Sequence, residues 1–222
     1  MDSRRASLVR AALWGALFVI FLTGCSRQPE TAEHAKAPEA KPEPKPQENT
    51  FKVRFETTKG DFIVEVNRDW APRGAQRFEE LVRAGFYDNS AFFRVVPNFV
   101  IQFGLAADPK MTEKFKNPID DDPVIRTNRY GAVTFATAGP NTRTSQVFIN
   151  LRSNQFLDSQ GFAPFGRVTE GMEVVEKLNA EYGERPDQQQ IERRGNAYLK
   201  ANFPRLDYIK KATIIQDSGG AQ

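Results

Sequence analysis

An all-β domain, closed on itself and capped by helices, is the fold the sequence predicts for residues 51–216. Three observations predict it. Strand-forming runs are short and numerous, few segments carry helical spacing, and Gly, Pro and Asn punctuate the intervals between runs. The chain has 222 residues, 40% apolar and 27% charged, which suits one domain with appendages. No internal repeat is present.

Residues 51–57 and 62–66 read as strands joined by a turn at Lys59-Gly60-Asp61. Pro72 suits a first helical turn, and Ala75, Phe78, Leu81 and Val82 recur at helical spacing until Gly85. Two aromatic, β-branched runs, 92–96 and 99–103, flank a tight connection at Pro97-Asn98. Residues 104–130 are polar and proline-interrupted, a long loop. Within it Asp120-Asp121-Asp122 has no ligand spacing, so a solvated loop is favoured over a carboxylate metal site. Strands at 131–136 and 146–151 straddle the turn-rich Ala138-Gly139-Pro140-Asn141-Thr142. A short strand at 165–168 precedes a helix at 172–178, which carries Met172, Val175 and Leu178 on one face. A helix is predicted over 187–202, where Gly195 costs about 1 kcal/mol. It reads as a cap rather than a partner-binding face, and because Arg193, Arg194 and Lys200 are offset by Asp187, Glu192 and Asp207 it offers no nucleic-acid surface. A strand at 212–215 closes the domain, and 217–222 form a flexible tail.

The N-terminal residues carry a different message. A basic start followed by the apolar run 11–21, shorter than the ~20 residues of a membrane span, marks 1–24 as an export signal. It ends in Leu22-Thr23-Gly24-Cys25, which resembles the lipobox of bacterial lipoproteins and makes Cys25 the lipidation site. Residues 26–50 are rich in Pro, Glu, Lys and Ala and form a solvated tether, read as a spacer rather than a wall-binding segment. The implied location is the cell envelope, with the domain facing the periplasm. Ser26 after the cysteine points to the outer membrane where two membranes exist.

Charge and residue counts then narrow the chemistry. The net charge is +3, of which +2 belongs to residues 1–24 (Arg4, Arg5 and Arg10 against Asp2). The remaining +1 gives no nucleic-acid footprint. Cys25 is the only cysteine, and the only histidine, His34, lies in the tether. The domain therefore holds no Ser-His-Asp triad, no Cys-His pair and no His-based metal site, and no cofactor or metal is expected. One arginine and one glutamine, Arg94 and Gln102, interrupt the apolar stretch 92–102. A cation there is costly unless it is paired, lines a cleft or sits on the solvent face of a strand. Those readings stand open on this stretch alone.

Phe93-Arg94-Val95-Val96-Pro97-Asn98-Phe99-Val100-Ile101-Gln102 resembles the signature of the cyclophilins, a family of peptidyl-prolyl cis-trans isomerases. Asn89-Ser90, Ala136-Thr137-Ala138-Gly139-Pro140-Asn141-Thr142, Ser145-Gln146-Val147-Phe148-Ile149, Phe156-Leu157-Asp158 and Phe165-Gly166-Arg167-Val168 extend the match in order. The resemblance implies an eight-stranded antiparallel barrel capped by two helices, to which this chain adds an extra C-terminal helix. It also implies proline-containing polypeptides as partners and catalytic roles for Arg94, Gln102 and Phe99. Val100, Ala136, Thr137, Ala138, Gln146, Phe148, Phe156, Leu157 and Phe162 take the substrate-binding positions. A monomer is expected.

Four departures from the family pattern bear on activity. Val100 replaces a methionine, Thr137 an asparagine and Phe156 a tryptophan, while Phe103-Gly104-Leu105 replaces Gly-Gly-Asp and is expected to alter the floor beside Gln102. Thr137 is expected to cost little; Val100 and Phe103-Gly104-Leu105 keep a second reading open, a catalytically weak module that binds proline peptides as a scaffold. A third is a structural lipoprotein acting through its tether.

Overall fold

The computed structural model describes residues 49–218. The signal segment 1–24, Cys25, His34, most of the tether and the last four residues lie outside the described residues.

Eight antiparallel strands form one sheet in the order β3-β4-β6-β5-β7-β2-β1-β8. They are β1 (Thr50–Thr57), β2 (Gly60–Asn67), β3 (Arg94–Val96), β4 (Val100–Phe103), β5 (Ala132–Phe135), β6 (Val147–Asn150), β7 (Pro164–Glu170) and β8 (Ile209–Asp217). The two ends of the sheet meet just before β3 and β8. There Ala91 bridges Tyr208, the Phe92 N–H donates to Asp207 O at 3.0 Å, and the Ile209 N–H donates to Ser90 O at 2.8 Å. These bonds satisfy backbone groups that an open edge would expose.

Alternation explains the core. In β1 and β2, Phe51, Val53, Phe55, Phe62, Val64 and Val66 point inward and are buried, while the intervening residues are more exposed. Phe55 stacks on Phe62 with ring centroids 4.9 Å apart, and Phe103 meets Phe55, Tyr87 and Phe92 edge-on. Most of the domain's phenylalanines are core, as their number in so short a chain predicts.

Helix α1 (Pro72–Arg83) caps one side, burying Ala75, Phe78, Leu81 and Val82. Its N-cap residue, Ala71, offers no side-chain acceptor. Asp122 supplies one instead, accepting from the N–H groups of Arg73 at 3.0 Å and Gly74 at 2.8 Å. Arg143 Nη1 lies 3.1 Å from the same carboxylate, and the two side chains are 3% and 0% exposed. The expectation of a solvated Asp120–122 loop is thus corrected. Asp122 is a buried anchor, and Asp121 exchanges hydrogen bonds with Asn141 at 2.8 Å.

Other boundaries differ for local reasons. The 104–130 loop contains a short helix α2 (Pro109–Lys114) capped by Asp108; it buries no side chain and so carried no periodic signal. Helix α3 (Met172–Val175) is a single turn. The predicted 187–202 helix is two, α4 (Gln188–Arg194) and α5 (Asn196–Asn202), separated by Gly195 at φ 54°, ψ −142°. A Cβ there would lie 2.2 Å from Ala107 O. β8 begins at Ile209, three residues before the expected start, and reaches Asp217, two past the expected end at 215. Asp217, assigned to the tail, pairs with Phe51, and Ser218 N–H donates to Thr50 O at 2.8 Å.

The helical extension has its own apolar cluster. Tyr182, Ile191, Leu199 and Leu206 pack with Ala91, Phe93 and Leu105. This corrects the reading of Phe103-Gly104-Leu105. Phe103 points into the barrel core and is fully buried, so it leaves the floor beside Gln102 untouched. Leu105 instead helps dock the extension. Gly104, at φ +104°, allows Ser145 O to approach where a Cβ would lie 2.4 Å away.

Candidate active site

β4 is buried on both faces. Ile101 and Phe103 enter the core, which leaves Val100 and Gln102 on the opposite face. Register then aligns side chains from four neighbouring strands. Arg94 of β3 pairs with Gln102 of β4, Gln102 with Phe148 of β6, and Phe148 with Thr134 of β5. Because cross-strand partners share a face, Arg94, Gln102 and Phe148 form the floor of a cleft, with Thr134 buried beyond them.

The cleft has a volume of about 650 Å³ and is lined by Arg94, Phe99, Val100, Gln102, Ala136, Thr137, Ala138, Gln146, Phe148, Leu157 and Phe162. Every predicted catalytic or substrate-binding residue is therefore there except Phe156. Phe156 is 49% exposed and stacks on Phe99 at 6.1 Å, forming an outer edge. Val100, Phe148 and Leu157 are buried together, with Phe99, Ala136 and Phe162 packed against them. Phe162 meets Phe148 edge-on at 5.7 Å, so an aromatic ring closes the pocket wall.

One side of this apolar pocket is polar. Arg94 Nη1 donates to Gln102 Oε1 at 3.3 Å, and Gln102 Nε2 donates to Gln146 Oε1 at 2.8 Å. The Arg94 guanidinium also lies 5.6 Å from the Phe99 ring centre. Its other edge faces Glu184: Nε donates to Oε1 at 2.6 Å, and Nη2 contacts the same oxygen. Arg94 is thus neither a solvated surface cation nor an unpaired buried one.

Two hydrogen-bond systems hold the walls. Ala136 N–H donates to Gln146 O at 2.9 Å, and Tyr87 Oη reaches Ser145 O at 3.2 Å from inside the barrel. Burial pushes the Tyr87 phenol well above its usual pKa, so it stays a neutral donor. On the other wall, buried Asn128 donates to Asp158 Oδ1 and Phe162 O, both at 2.8 Å, and accepts from Thr134 Oγ1 at 2.8 Å. Asn154 Nδ2 donates to Phe99 O at 3.0 Å and to Asn150 Oδ1 at 2.9 Å. Phe99, Leu157 and Phe162 therefore hang on an asparagine network rather than on apolar packing alone. Asn128→Ala should lower stability by about 2–4 kcal/mol, because several buried partners lose their match at once. Urea unfolding checks it, and an unchanged midpoint contradicts it.

Sequence reasoning missed Thr142, Thr144, Glu184, Gln188 and Glu192, all of which line the cleft. Thr142 ends one quoted motif and Thr144 precedes the next, so both were within reach. The other three come from the loop before α4 and from α4 itself, and nothing in the sequence ties that segment to Arg94.

Comparison with known proteins agrees with this geometry. The profile of the family described as cyclophilin type peptidyl-prolyl cis-trans isomerase/CLD matches residues 52–195. Peptidyl-prolyl cis-trans isomerase-like 1 of Gibberella zeae is 38% identical over 138 residues, covering 58% of this chain and 82% of its own. A peptidyl-prolyl cis-trans isomerase of Acinetobacter baylyi is 37% identical over 136 residues, covering 57% of this chain and 70% of its own. Among solved structures, a cyclophilin type isomerase of Cryptosporidium parvum superposes with a TM-score of 0.58 at 25% identity, covering 76% of this chain and 99% of its own. That protein has also been crystallised in the presence of the dipeptide Ala-Pro. Fold, cleft and motifs together make this chain a member of the cyclophilin-type peptidyl-prolyl cis-trans isomerase family.

Proposed function

We propose that the protein is a prolyl isomerase tethered at the bacterial cell envelope, where it assists the folding of exported proteins. The observation that carries the activity is the Arg94–Gln102–Gln146 row lying along a pocket built from Phe99, Phe148, Leu157 and Phe162. The location is supported by the Leu22-Thr23-Gly24-Cys25 sequence and by the tether that follows it.

The barrier to prolyl rotation, ~18–20 kcal/mol, arises because twisting breaks amide conjugation. In the twisted state the prolyl nitrogen regains a localised lone pair and becomes a hydrogen-bond acceptor. A guanidinium beside it binds that state better than the planar one, and such preference is what lowers a barrier. Arg94 keeps its proton throughout and acts electrostatically, not as an acid. One charged hydrogen bond contributes about 1.5–3 kcal/mol, or roughly one to two decades of rate. The pocket adds to this by gripping the pyrrolidine ring and keeping water from the developing charge. Gln102 holds the arginine and Gln146 holds Gln102, so the donor is oriented before substrate arrives.

Two measurements test the parts separately. A coupled proline-isomerisation assay on the purified protein should show catalysis, and binding of proline peptides without rate enhancement would favour the scaffold reading. Labelling of expressing cells with a palmitate analogue should mark the wild-type chain and not Cys25→Ala. Equal labelling of both would remove the anchor.

A further inference from the structure

We propose that Glu184 is a positioning residue for Arg94, so that the loop before α4 completes the active site that the barrel strands begin. The proposal rests on the isomerase reading above and adds a component to the same site.

Arg94 belongs to β3, the end strand of the sheet, so it has a neighbouring strand on one side only. Gln102 occupies that side. The loop before α4 fills the other, since the Val95 N–H donates to Gly183 O at 3.2 Å. The next residue, Glu184, takes the Arg94 Nε–H at 2.6 Å and contacts Nη2. A guanidinium has five N–H donors. Glu184 engages two and Gln102 one, which leaves one N–H on each terminal nitrogen for a substrate in the cleft. A planar fork gripped along one edge and at one tip loses most of its rotational freedom.

The loop carrying Glu184 is built to stay in place. Tyr182 and Pro186, on either side, are buried, and Tyr182 shares a cluster with Phe93, the residue preceding Arg94. Arg185 Nε donates to Tyr182 O at 3.2 Å, and Asn179 N–H to Asp207 Oδ2 at 2.8 Å. Glu181 pairs with Arg205, whose hydrogen bonds draw the carboxyl down to a pKa of about 2. The Glu184 side chain is itself 62% exposed against 23% for Arg94. Its contribution is therefore geometric, and its removal should leave the fold intact.

Glu184→Ala should lower kcat about ten-fold by freeing the donor's orientation, with KM changed less than about two-fold. Glu184→Gln keeps an acceptor for Nε–H and should recover most of the loss. Glu184→Ala combined with Arg94→Ala should be no slower than Arg94→Ala alone. An independent readout is the ¹⁵Nε–¹H resonance of Arg94, sharp and slowly exchanging in wild type and Glu184→Gln, and broadened in Glu184→Ala. Unchanged or raised kcat in Glu184→Ala, or an unchanged Arg94 resonance, overturns the proposal. If the wild-type protein shows no isomerase activity, the functional reading fails on that result, and the resonance alone decides whether Glu184 holds Arg94.

Discussion

Arg94→Ala should lower kcat/KM for prolyl isomerisation by roughly 100-fold while weakening peptide binding far less. The asymmetry follows from the proposed mechanism. In it Phe99, Phe148, Leu157 and Phe162 of the cleft lining would grip the ring in both planar and twisted states, whereas the guanidinium would meet a prolyl lone pair only in the twisted one. Arg94→Lys should fall between, because an ammonium keeps the charge but cannot meet Gln102 and Glu184 with a planar fork. Steady-state rates with titrated binding separate the two effects. Equal losses in binding and rate would place Arg94 in ground-state recognition instead.

The largest expected effect on stability lies away from the cleft, at Asp122. Asp122→Ala should destabilise the domain by about 3–5 kcal/mol, because it takes one of two carboxylates from the buried Arg143, leaving Asp121, and uncaps α1 in one step. For a domain of this size the melting temperature should drop on the order of 10 °C. Adding Arg143→Met should restore part of the loss by removing a buried charge left with Asp121 as its one carboxylate. Chemical unfolding of the single and double variants measures both. A single-variant change within about 1 kcal/mol would mean that water or a neighbour satisfies Arg143.

The aspartates show which features the sequence made legible. β1 and β2 could be read because inward Phe and Val alternate with residues less buried. β4 could be read as a strand but not oriented, since both faces are apolar and buried. The role of Asp122 depends on a partner 21 residues ahead and on a helix end 48 residues behind, contacts with no local signature. Helix α2 had only a cap, Asp108-Pro109, because it buries nothing. The break at Gly195 is set by the approach of Ala107 O, again a tertiary fact.

The candidate site was more legible than its surroundings. Its residues sit in contiguous motifs on four adjacent strands and the loops between them, so one-dimensional order carries over into the cleft. Leu105 and Glu184 were not legible, for one reason. Each is explained by the other end of the chain, Leu105 by the cluster that docks the extension and Glu184 by the edge strand it meets. A departure from the family pattern at Leu105, which reads as damage to the site, is complementary to a segment 77 to 101 residues later.

Exchange NMR on a short proline peptide at equilibrium tests the central claim most directly, because it reports binding and isomerisation in one sample. Unaided interconversion takes tens to hundreds of seconds. A catalytic amount of the wild-type protein should bring cis–trans exchange peaks into view within a mixing time of about one second. With Arg94→Ala those peaks should vanish, while resonances of Phe99, Phe148 and Leu157 still shift on adding peptide. Exchange that persists undiminished without Arg94, or wild-type protein that binds peptide and produces no exchange, would contradict the account.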